Sequence, residues 1–169
     1  MKTARLELIA ATPALLRAEL DGKLAEALGV TVGEWPPPLN DEATLRYTLN
    51  FLEAAEDHAG WMSWYILRSD GRVLIGQGGY AGRPKNGVAE IGYSLVPAHQ
   101  KNGYATEAAR ALAERAFALG AHTVTAQTLP SLTPSIRVLE RLGFELAGDG
   151  DEPGTIRYAA RRLHLSPAC

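Results

Sequence analysis

One short loop carries the residues best suited to binding chemistry. It covers residues 97–103, contains a proline, a glycine and several polar residues, and separates a strand-like segment from a helix-like one. The first backbone amides of a helix have no partner inside the helix, and the helix dipole places partial positive charge at that end. Gly103 stands just before the predicted helix and lets the backbone approach a ligand closely. The loop is therefore a candidate site for a phosphate or another anion, held by main-chain amides.

The two segments beside the loop agree with this interpretation. Residues 90–96 are rich in β-branched and aromatic residues and predict a strand, which Pro97 ends because proline has no amide hydrogen. From Tyr104 onward, apolar side chains recur at positions 105, 108, 109, 112, 116 and 119, which is the spacing of one helix face. An ordinary strand-to-helix connection has the same pattern, so that alternative stays open on the pattern alone.

The composition predicts one globular domain that spans residues 1–169. Apolar residues make up 46% of the chain and charged residues 21%, as in ordinary soluble proteins. The net charge of −2 provides no strongly basic surface, so we expect neither nucleic acid nor a membrane as a partner. The one cysteine, Cys169, is the last residue, which excludes an internal disulfide framework and is typical of a reducing, cytoplasmic compartment. Arg5 and Glu7 interrupt the apolar run that a signal peptide needs, and no segment approaches a membrane span.

Glycine, proline and capping residues divide the remaining chain into strands and helices. Strands are predicted at residues 4–10, 61–68, 73–80, 122–128 and 155–163, and another begins at Phe144. Helices are predicted from a cap at Thr12 to a stop at Gly29, after a cap at Asn40, and at residues 135–142, where Thr133 caps the helix ahead of Pro134. Three prolines at positions 36–38 keep residues 30–39 extended.

The order of these elements predicts the sheet. Turns at residues 69–71 and 84–87 join three successive strands into an antiparallel meander. Gly76, Gly78 and Gly79 weaken the middle strand and predict a bulge or a close approach by a neighbour. The strand that follows the long helix must return beside the last strand of the meander. We therefore expect an α/β fold in which a mixed, mostly antiparallel and twisted sheet carries helices on both faces.

Two segments resemble the GNAT superfamily of acyl-CoA-dependent N-acyltransferases. Residues 100–105, QKNGYA, fit the family pattern Q/R-x-x-G-x-G/A, and the wider segment VPAHQKNGYATEA is most similar to the branch that contains the ribosomal-protein N-terminal acetyltransferases. Members of that branch often have a glycine where this chain has Lys101. Residues 132–144, LTPSIRVLERLGF, resemble the second family pattern N-x-x-S-x-x-V-L-x-x-L-G-F, with Leu132 in place of the asparagine. The resemblance covers most of the chain, although only these two segments are specific.

The resemblance implies a fold and an acyl donor. It implies a single-domain GNAT-like sheet, splayed at its centre between residues 90–96 and 122–128, whose free backbone groups face acetyl-CoA. Amides of residues 100–106 would wrap the pyrophosphate, and the amide of Leu95 or Val96 would donate to the thioester oxygen. The cofactor-binding residues implied in this way are Leu95, Val96, Gln100, Lys101, Asn102, Gly103, Tyr104, Ala105, Thr106 and Ser135. No metal is expected, because the four histidines lack metal-ligand spacing.

Acetyl transfer to an amine requires a base for the ammonium proton, and Glu90 is the candidate. It lies at the start of the strand, and strand alternation places Glu90, Gly92 and Ser94 on one face. A carboxylate in this position can take the proton through a water molecule. A solvent-exposed strand carboxylate without a catalytic role is the alternative.

Ser135 is the candidate for assisting the departing thiolate. It lies in the first turn of the helix at residues 135–142, where its hydroxyl and the helix dipole both favour negative charge. A plain serine at a helix start is the alternative. Other family members often have a tyrosine acid at the position of Leu139, so this chain lacks that proton donor. Tyr93 and Tyr104 are candidate substitutes, although tyrosines at this spacing are more often core residues.

We therefore predict an acetyl-CoA-dependent N-acetyltransferase that acetylates a primary amine by direct attack in a ternary complex. A covalent acetyl-enzyme is disfavoured because the sole cysteine is terminal. The alternative is a non-catalytic acyl-CoA-binding or regulatory module of the same fold. A nucleotide-binding fold is disfavoured because the loop lacks both GxGxxG and GxxxxGKS/T.

The acceptor stays open between a small molecule and a peptide. A protein N-terminus, an amino acid, a polyamine and an aminoglycoside all provide a primary amine. Glu34 and Trp35 are only a hint of a site wall. A homodimer is also left open.

Overall fold

The computed structural model describes residues 1–38 and 40–161. The strands are β1 (Leu6–Ala10), β2 (Thr31–Val32), β3 (Ser63–Arg68), β4 (Val73–Tyr80), β5 (Val88–Leu95), β6 (Thr123–Thr128), β7 (Glu145–Asp149) and β8 (Ile156–Arg161). The helices are α1 (Pro13–Leu20), α2 (Leu24–Leu28), α3 (Glu42–Ala54), α4 (Tyr104–Ala118) and α5 (Thr133–Arg141). Cys169 and the last two residues of the strand predicted at 155–163 lie outside the described residues. In the described part of the chain, none of the helices has the length and apolar composition needed to cross a membrane.

The strands form one mixed sheet. Its order in the described residues is β1-β3-β4-β5-β6-β8-β7, and the short β2 pairs with β4 away from this path. β3, β4 and β5 form the predicted antiparallel meander, to which β1 adds at the β3 edge. β5 and β6 run parallel because α4 crosses between them, and β6, β8 and β7 are antiparallel again. The expected mixed, mostly antiparallel sheet is confirmed.

The sheet opens at its centre. The parallel pairing between β5 and β6 ends at Glu90, which lies opposite Thr125. Beyond this point β5 stays paired with β4 as far as Leu95, and β6 stays paired with β8 as far as Thr128. The two strands therefore separate into a V whose apex is at Glu90 and Thr125. This confirms the expected splay.

Helices cover both faces of the sheet. On one face, α4 buries four small side chains completely, namely Ala108, Ala109, Ala113 and Ala116. Because these side chains are only methyl groups, the helix packs close to the strands. On the other face, α1, α2 and α3 surround a second core that includes Leu16, Leu24, Leu52, Tyr65, Leu67 and Leu74. α5 packs beside α4 and buries Leu139 in the first core.

The first predicted helix is in fact two helices. Thr12 caps α1 as predicted, since its hydroxyl accepts a hydrogen bond from a backbone amide of the first turn. The expectation of one helix continuing to Gly29 is wrong. Gly22 (φ 71°) adopts the left-handed conformation between α1 and α2, which turns the chain without steric strain. The break allows both Leu16 and Leu24 to reach the core.

Two other predicted caps are wrong by one residue. Asp41, not Asn40, caps α3, because its Oδ1 accepts the amide and the hydroxyl of Thr44, each at 2.8 Å. In α5, Leu132 is at the cap position without a side-chain bond, so Thr133 is the first helical residue rather than the cap. Packing of the apolar helix face decides where each helix begins, and local capping signals do not contain that information.

The glycines of β4 are required by the close approach of neighbouring strands. A methyl group on Gly76 would lie 2.3 Å from the Ser94 carbonyl oxygen, and one on Gly79 would lie 2.0 Å from the Met62 carbonyl oxygen. Gly79 also has a φ of 148°, which strains any other residue. The register between β3 and β4 shifts next to Ile66. Both predicted features of this strand, a bulge and a close approach, are therefore confirmed.

Replacing Gly79 by alanine should lower the free energy of unfolding by about 2–3 kcal/mol, because the added methyl group overlaps the Met62 carbonyl oxygen. Gly92→Ala on β5 is the matched control. Nothing lies within 4 Å of a methyl group at Gly92, so its stability should change by less than about 0.5 kcal/mol. Urea unfolding of both variants measures the difference. Equal stability of the two variants would contradict the close approach at Gly79.

Candidate active site

The backbone of β5 offers unpaired groups along the open side of the V. Successive amides of a strand point to opposite edges. The Val96 amide donates to the Ile75 carbonyl oxygen of β4 at 3.0 Å, so it is not available to a ligand. The Leu95 amide therefore points to the other edge, into the gap where β6 no longer pairs. Of the two amides predicted to face a ligand, only that of Leu95 is free to do so.

The loop before α4 is held in shape by its own side chains. The Gln100 side chain donates to the Leu95 carbonyl oxygen at 3.0 Å, and the Asn102 side chain donates to the Gln100 carbonyl oxygen at 2.9 Å. Lys101 (φ 63°) and Gly103 (φ 80°) are both left-handed, so the chain turns sharply twice. This conformation is uncommon for lysine and easy for glycine.

These turns leave a row of backbone amides open to a ligand. The Gln100 amide donates to the Pro97 carbonyl oxygen at 3.2 Å, whereas the amides of residues 101–106 have no acceptor in the described part of the chain. They surround the N-terminus of α4, which is the positive end of its dipole. Successive amides in alternating conformations form a concavity that binds anions. The loop thus has the geometry of an anion site.

An ion pair that sequence spacing does not reveal joins the start of the chain to this loop. Glu107, in the first turn of α4, accepts the Arg5 amide and Nε, each at 2.8 Å, and the Thr3 hydroxyl at 2.6 Å. The Arg5 guanidinium also donates to the Asn102 carbonyl oxygen at 3.0 Å and lies 4.7 Å from the ring centroid of Tyr104. Arg5 and Glu107 are 102 positions apart, so only the fold brings them together.

Glu90 lies at the apex of the V with its carboxylate held in place. Gln127 on β6 donates to Glu90 Oε2 at 2.9 Å and, with the same amide group, to Asp151 Oδ2 at 2.9 Å. The Asp151 amide donates back to the Gln127 side chain at 2.6 Å. Hydrogen bonding from Arg157 lowers the pKa of the Asp151 carboxyl group. Glu90 is therefore a half-buried, hydrogen-bonded carboxylate and not a free surface group.

A pocket of about 340 Å³ borders Glu90. It is lined by Ala81, Arg83, Lys85, Val88, Glu90, Thr125, Asp151 and Arg157. Three of these side chains are basic, but Arg157 is paired with Asp151 of the same lining and Arg83 is paired with Asp57. Lys85 is the basic residue of the lining that has no ion pair within the described residues. A second pocket, of about 410 Å³, lies along β7 and β8 and contains none of the predicted site residues. Within the described residues, no group of three or more His, Cys, Asp or Glu side chains is arranged to hold a metal ion.

Tyr93 and Ser135 meet on the opposite face of the sheet. Tyr93 packs against the core beneath α4, whereas strand alternation turns Glu90 to the other face. The Tyr93 hydroxyl lies 3.4 Å from the hydroxyl and from the carbonyl oxygen of Ser135, in the first turn of α5. Burial raises the pKa of Tyr93 to about 12, and its hydrogen bond with Ser135 opposes that rise. The hydroxyl is therefore protonated at neutral pH. Leu139 is fully buried in the core and does not face the gap.

On the face opposite α4, the surface of β5 is open to solvent at Gly92, next to the V. Gly92 faces open space there, with nothing within 4 Å of an added Cβ. The Ser94 hydroxyl donates to the Pro38 carbonyl oxygen at 3.0 Å, which holds residues 33–38 over the sheet. The expectation that residues 30–39 are extended is wrong for most of the described part of this segment, because the chain bends at Glu34 and Pro36 and turns at Pro38. Trp35 in the same segment donates from its indole nitrogen to a carboxylate of α1 at 2.8 Å. We call this space the Gly92 cleft, with Gly92 and Ser94 as its floor and residues 33–38 as its wall.

Residues 5–145 match the family model described as an acetyltransferase (GNAT) domain. A Bacillus subtilis (strain 168) protein named "Uncharacterized N-acetyltransferase YjdG" is 35% identical over 153 residues, which cover 86% of this chain and 89% of the relative.

Solved structures share the fold. The ribosomal-protein-S5-alanine acetyltransferase from Vibrio fischeri has a TM-score of 0.68 at 16% identity, over 99% of this chain and 98% of that one. Mycobacterium smegmatis RimJ in complex with CoA-disulfide has a TM-score of 0.67 at 21% identity. The match covers 96% of this chain and 85% of the RimJ chain. The fold is therefore one that the ribosomal-protein branch also uses, in agreement with the resemblance of the loop.

Replacing Glu107 by glutamine should loosen the start of the chain and lower the free energy of unfolding by about 1 kcal/mol at pH 7, since Arg5 is partly exposed. Burial raises the pKa of Glu107. Hydrogen bonds from Thr3 and Arg5 lower it by a larger amount, so the net shift of the pKa is downward from 4.5. The carboxylate therefore stabilises the fold above the unfolded-state pKa, and this contribution is lost as pH falls through the folded-state pKa.

Denaturant unfolding between pH 7 and pH 3 measures this effect. The stabilities of the wild-type protein and Glu107→Gln should converge at the acidic end. Glu114→Gln, on the exposed side of the same helix, serves as the control and should show no such convergence. A gap that stays constant with pH would mean that the charge of Glu107 does not stabilise the fold.

Proposed function

The chain belongs to the GNAT acetyltransferase family, and we propose that it is a single-domain enzyme that moves an acetyl group from acetyl-CoA to a primary amine by direct attack in a ternary complex. One observation carries this proposal. The unpartnered amides of residues 101–106 stand at the open end of the gap between β5 and β6. An anion site that adjoins an unpaired strand edge fits a ligand with a phosphate group and an extended amide-bearing arm.

The donor side uses main-chain groups. The amides of residues 101–106 hold the pyrophosphate of acetyl-CoA, and the side chains of Gln100 and Asn102 keep the loop in shape. The pantetheine arm pairs with the free edge of β5 as an added strand. The Leu95 amide donates to the thioester oxygen and stabilises the charge that develops there. The M. smegmatis RimJ structure, which shares the fold and contains CoA as a disulfide, supports coenzyme A as the ligand class.

The acceptor side uses the Gly92 cleft. Glu90 accepts the ammonium proton through a chain of water molecules, since β5 advances about 16 Å from Glu90 to Leu95. This leaves the nitrogen lone pair free to form the new bond to the carbonyl carbon. Gln127 keeps the Glu90 carboxylate oriented by donating to it at 2.9 Å. The open space at Gly92 gives the amine a path to the gap.

The side chains that assist the departing thiolate lie on the α4 face of the sheet. When the carbon–sulfur bond breaks, the sulfur departs with the bonding electron pair and requires a proton. The Tyr93 hydroxyl is protonated at neutral pH and donates that proton. The nitrogen loses its second proton to water as the amide forms, and Tyr93 regains a proton from solvent. Ser135 and the N-terminus of α5 stabilise the thiolate before it is protonated. Tyr93 thus takes the role that other family members assign to a tyrosine at the position of Leu139.

Acetyl-CoA should bind with micromolar affinity and raise the melting temperature, because a ligand that binds only the native state stabilises that state.

Gly103→Asp should weaken acetyl-CoA binding by about tenfold or more, since it introduces negative charge into the proposed anion site. Gly103→Asn is the matched control, because asparagine has nearly the same size, tolerates left-handed backbone and carries no charge. Calorimetric titration of the three proteins measures the difference. Equal affinity in all three would place the phosphate site elsewhere.

Release of free thiol with a panel of primary amines tests the transfer itself. If acetyl-CoA binds but no amine accelerates thiol release, the protein is the alternative, a non-catalytic acyl-CoA-binding module. If saturating acetyl-CoA and CoA leave the melting temperature unchanged, both functions are excluded.

Replacing Glu90 by glutamine should lower kcat/KM by about a hundred- to ten-thousand-fold at pH 7, because the amide keeps the shape but cannot accept a proton. Acetyl-CoA affinity should not change, since Glu90 is at the opposite end of β5 from the anion site. The deficit should shrink as pH approaches the pKa of the amine, where the free base becomes abundant. Glu145→Gln, the same change on the exposed strand β7, is the control. Activity of Glu90→Gln near that of the wild type at pH 7 would show that Glu90 is not the base.

A further inference from the structure

A half-buried carboxylate that the proposed reaction does not use lies at the end of α1. Glu19 Oε1 accepts the Trp35 indole nitrogen at 2.8 Å, and Oε2 accepts the Tyr65 hydroxyl at 2.7 Å. The Gln77 side-chain nitrogen lies 3.4 Å from both oxygens, which is a weak contact that leaves lone pairs available. All three donors are neutral. No Lys or Arg forms an ion pair with Glu19 within residues 1–38 and 40–161, and the nearby Arg17 pairs with Glu53 instead.

A carboxylate without a cationic partner is costly to withdraw from water. Burial accordingly raises the pKa of Glu19, while hydrogen bonds from Tyr65, Trp35 and Gln77 act in the opposite direction. A glutamine at this position would avoid the cost of burying a charge and could donate from its Nε2 to the Tyr65 hydroxyl, but it would have one acceptor atom fewer for the three donors. A bound cation would lower the pKa again and stabilise the charged form. The negative charge of Glu19 is thus met by three neutral donors and by no cation within the described residues.

Glu19 borders the Gly92 cleft. Gln77 on β4 is paired with Ser94 on β5, so both side chains point to the face that also carries Gly92 and Glu90. From Ser94 to Glu90 the strand advances four residues, or about 13 Å. Glu19 and Glu90 thus stand near opposite ends of the cleft floor, with the open space at Gly92 between them.

The charges around the cleft favour one orientation for a cationic ligand. Beyond Glu90 the pocket wall carries Lys85, whose ammonium group repels a second positive charge, whereas Arg83 and Arg157 are paired with Asp57 and Asp151. In the other direction Glu19 attracts the second positive charge, and the half-buried Trp35 ring lies beside the carboxylate, whereas the Tyr65 ring is fully buried. An aromatic ring next to a carboxylate suits an alkylammonium group.

We infer that the acceptor is an amine with a second positive charge, such as an aliphatic diamine or a longer polyamine, whose distal ammonium binds Glu19 while its other nitrogen reaches the thioester past Gly92. This inference rests on the proposed function, because it assigns the acceptor of the same reaction. An amine with a neutral distal end would leave Glu19 unpaired, and an anionic distal group would be repelled by it.

Two amines that differ only at the distal end test the inference. 1,5-Diaminopentane ends in an ammonium group, and 5-amino-1-pentanol replaces that group by a hydroxyl. The wild-type protein should show a kcat/KM about tenfold or more higher for the diamine, mainly through a lower KM. Glu19→Gln should lose this preference while its activity on the amino alcohol stays close to that of the wild type. Glu53→Gln, a surface carboxylate that pairs with Arg17, is the matched control and should retain the preference.

Thermal unfolding separates this role from a structural one. With a raised pKa, Glu19 destabilises the fold as pH rises past 4.5, so Glu19→Gln should melt at or above the wild-type temperature at pH 7. A lower melting temperature together with an equal loss on both amines would show that Glu19 only connects the elements around it, and would overturn the inference. No preference for the diamine in the wild-type protein would also overturn it.

Calorimetric binding of 1,5-diaminopentane to the protein saturated with CoA makes the test independent of turnover. Binding that is lost in Glu19→Gln and kept in Glu53→Gln supports the inference even if no acetyl transfer is detected. If neither amine turns over and the diamine binds the wild-type protein and Glu19→Gln equally or not at all, the inference fails. The proposed function is judged separately, by the effect of acetyl-CoA on the melting temperature and by thiol release with other amines.

Discussion

The hydrogen-bond ladder between β5 and β6 stops at Glu90, and every part of the candidate site depends on that early stop. A continuous ladder would satisfy the amides of both strands and close the centre of the sheet. Instead each strand stays paired only on its outer side, β5 with β4 and β6 with β8, so the inner edges face a gap. The loop that follows β5 leads into α4 at the open end of this gap. Unpaired strand amides and the N-terminal amides of a helix are thereby presented to one ligand.

The splay also separates the two proton transfers of the proposed reaction. Side chains alternate along β5, so Tyr93 points toward α4 and Glu90 points to the Gly92 cleft. The proposed acid and the proposed base therefore lie on opposite faces of β5. On the side of the Gly92 cleft, Glu19 lies near one end and the ammonium group of Lys85 lies beyond Glu90 at the other. In the proposed reaction this asymmetry gives a cationic acceptor a preferred direction.

Local sequence signals predicted the elements around the loop well and the ends of several helices poorly. β4 has the predicted bounds, and α4 begins at the predicted Tyr104, because glycine, proline and hydrophobic periodicity act within a few residues. The cap of α3 is Asp41 instead of Asn40, two neighbouring residues with similar capping ability. The interruption at Gly22 was missed because the leucine spacing continues across it, although the backbone turns there.

The sequence by itself therefore determined the loop that we propose as the anion site, the strand that carries Glu90 and the alternation that assigns its face. Only the tertiary structure decided which polar groups are already used. The Val96 amide is bonded to Ile75, and Leu139 is buried in the core. It also decided which distant groups meet, since Arg5 and Glu107 are 102 positions apart and Glu19 and Gln77 are 58 apart. The physical reason is that apolar burial drives these segments together without directional preference, so the polar partners follow from the packing and not from their spacing in the chain.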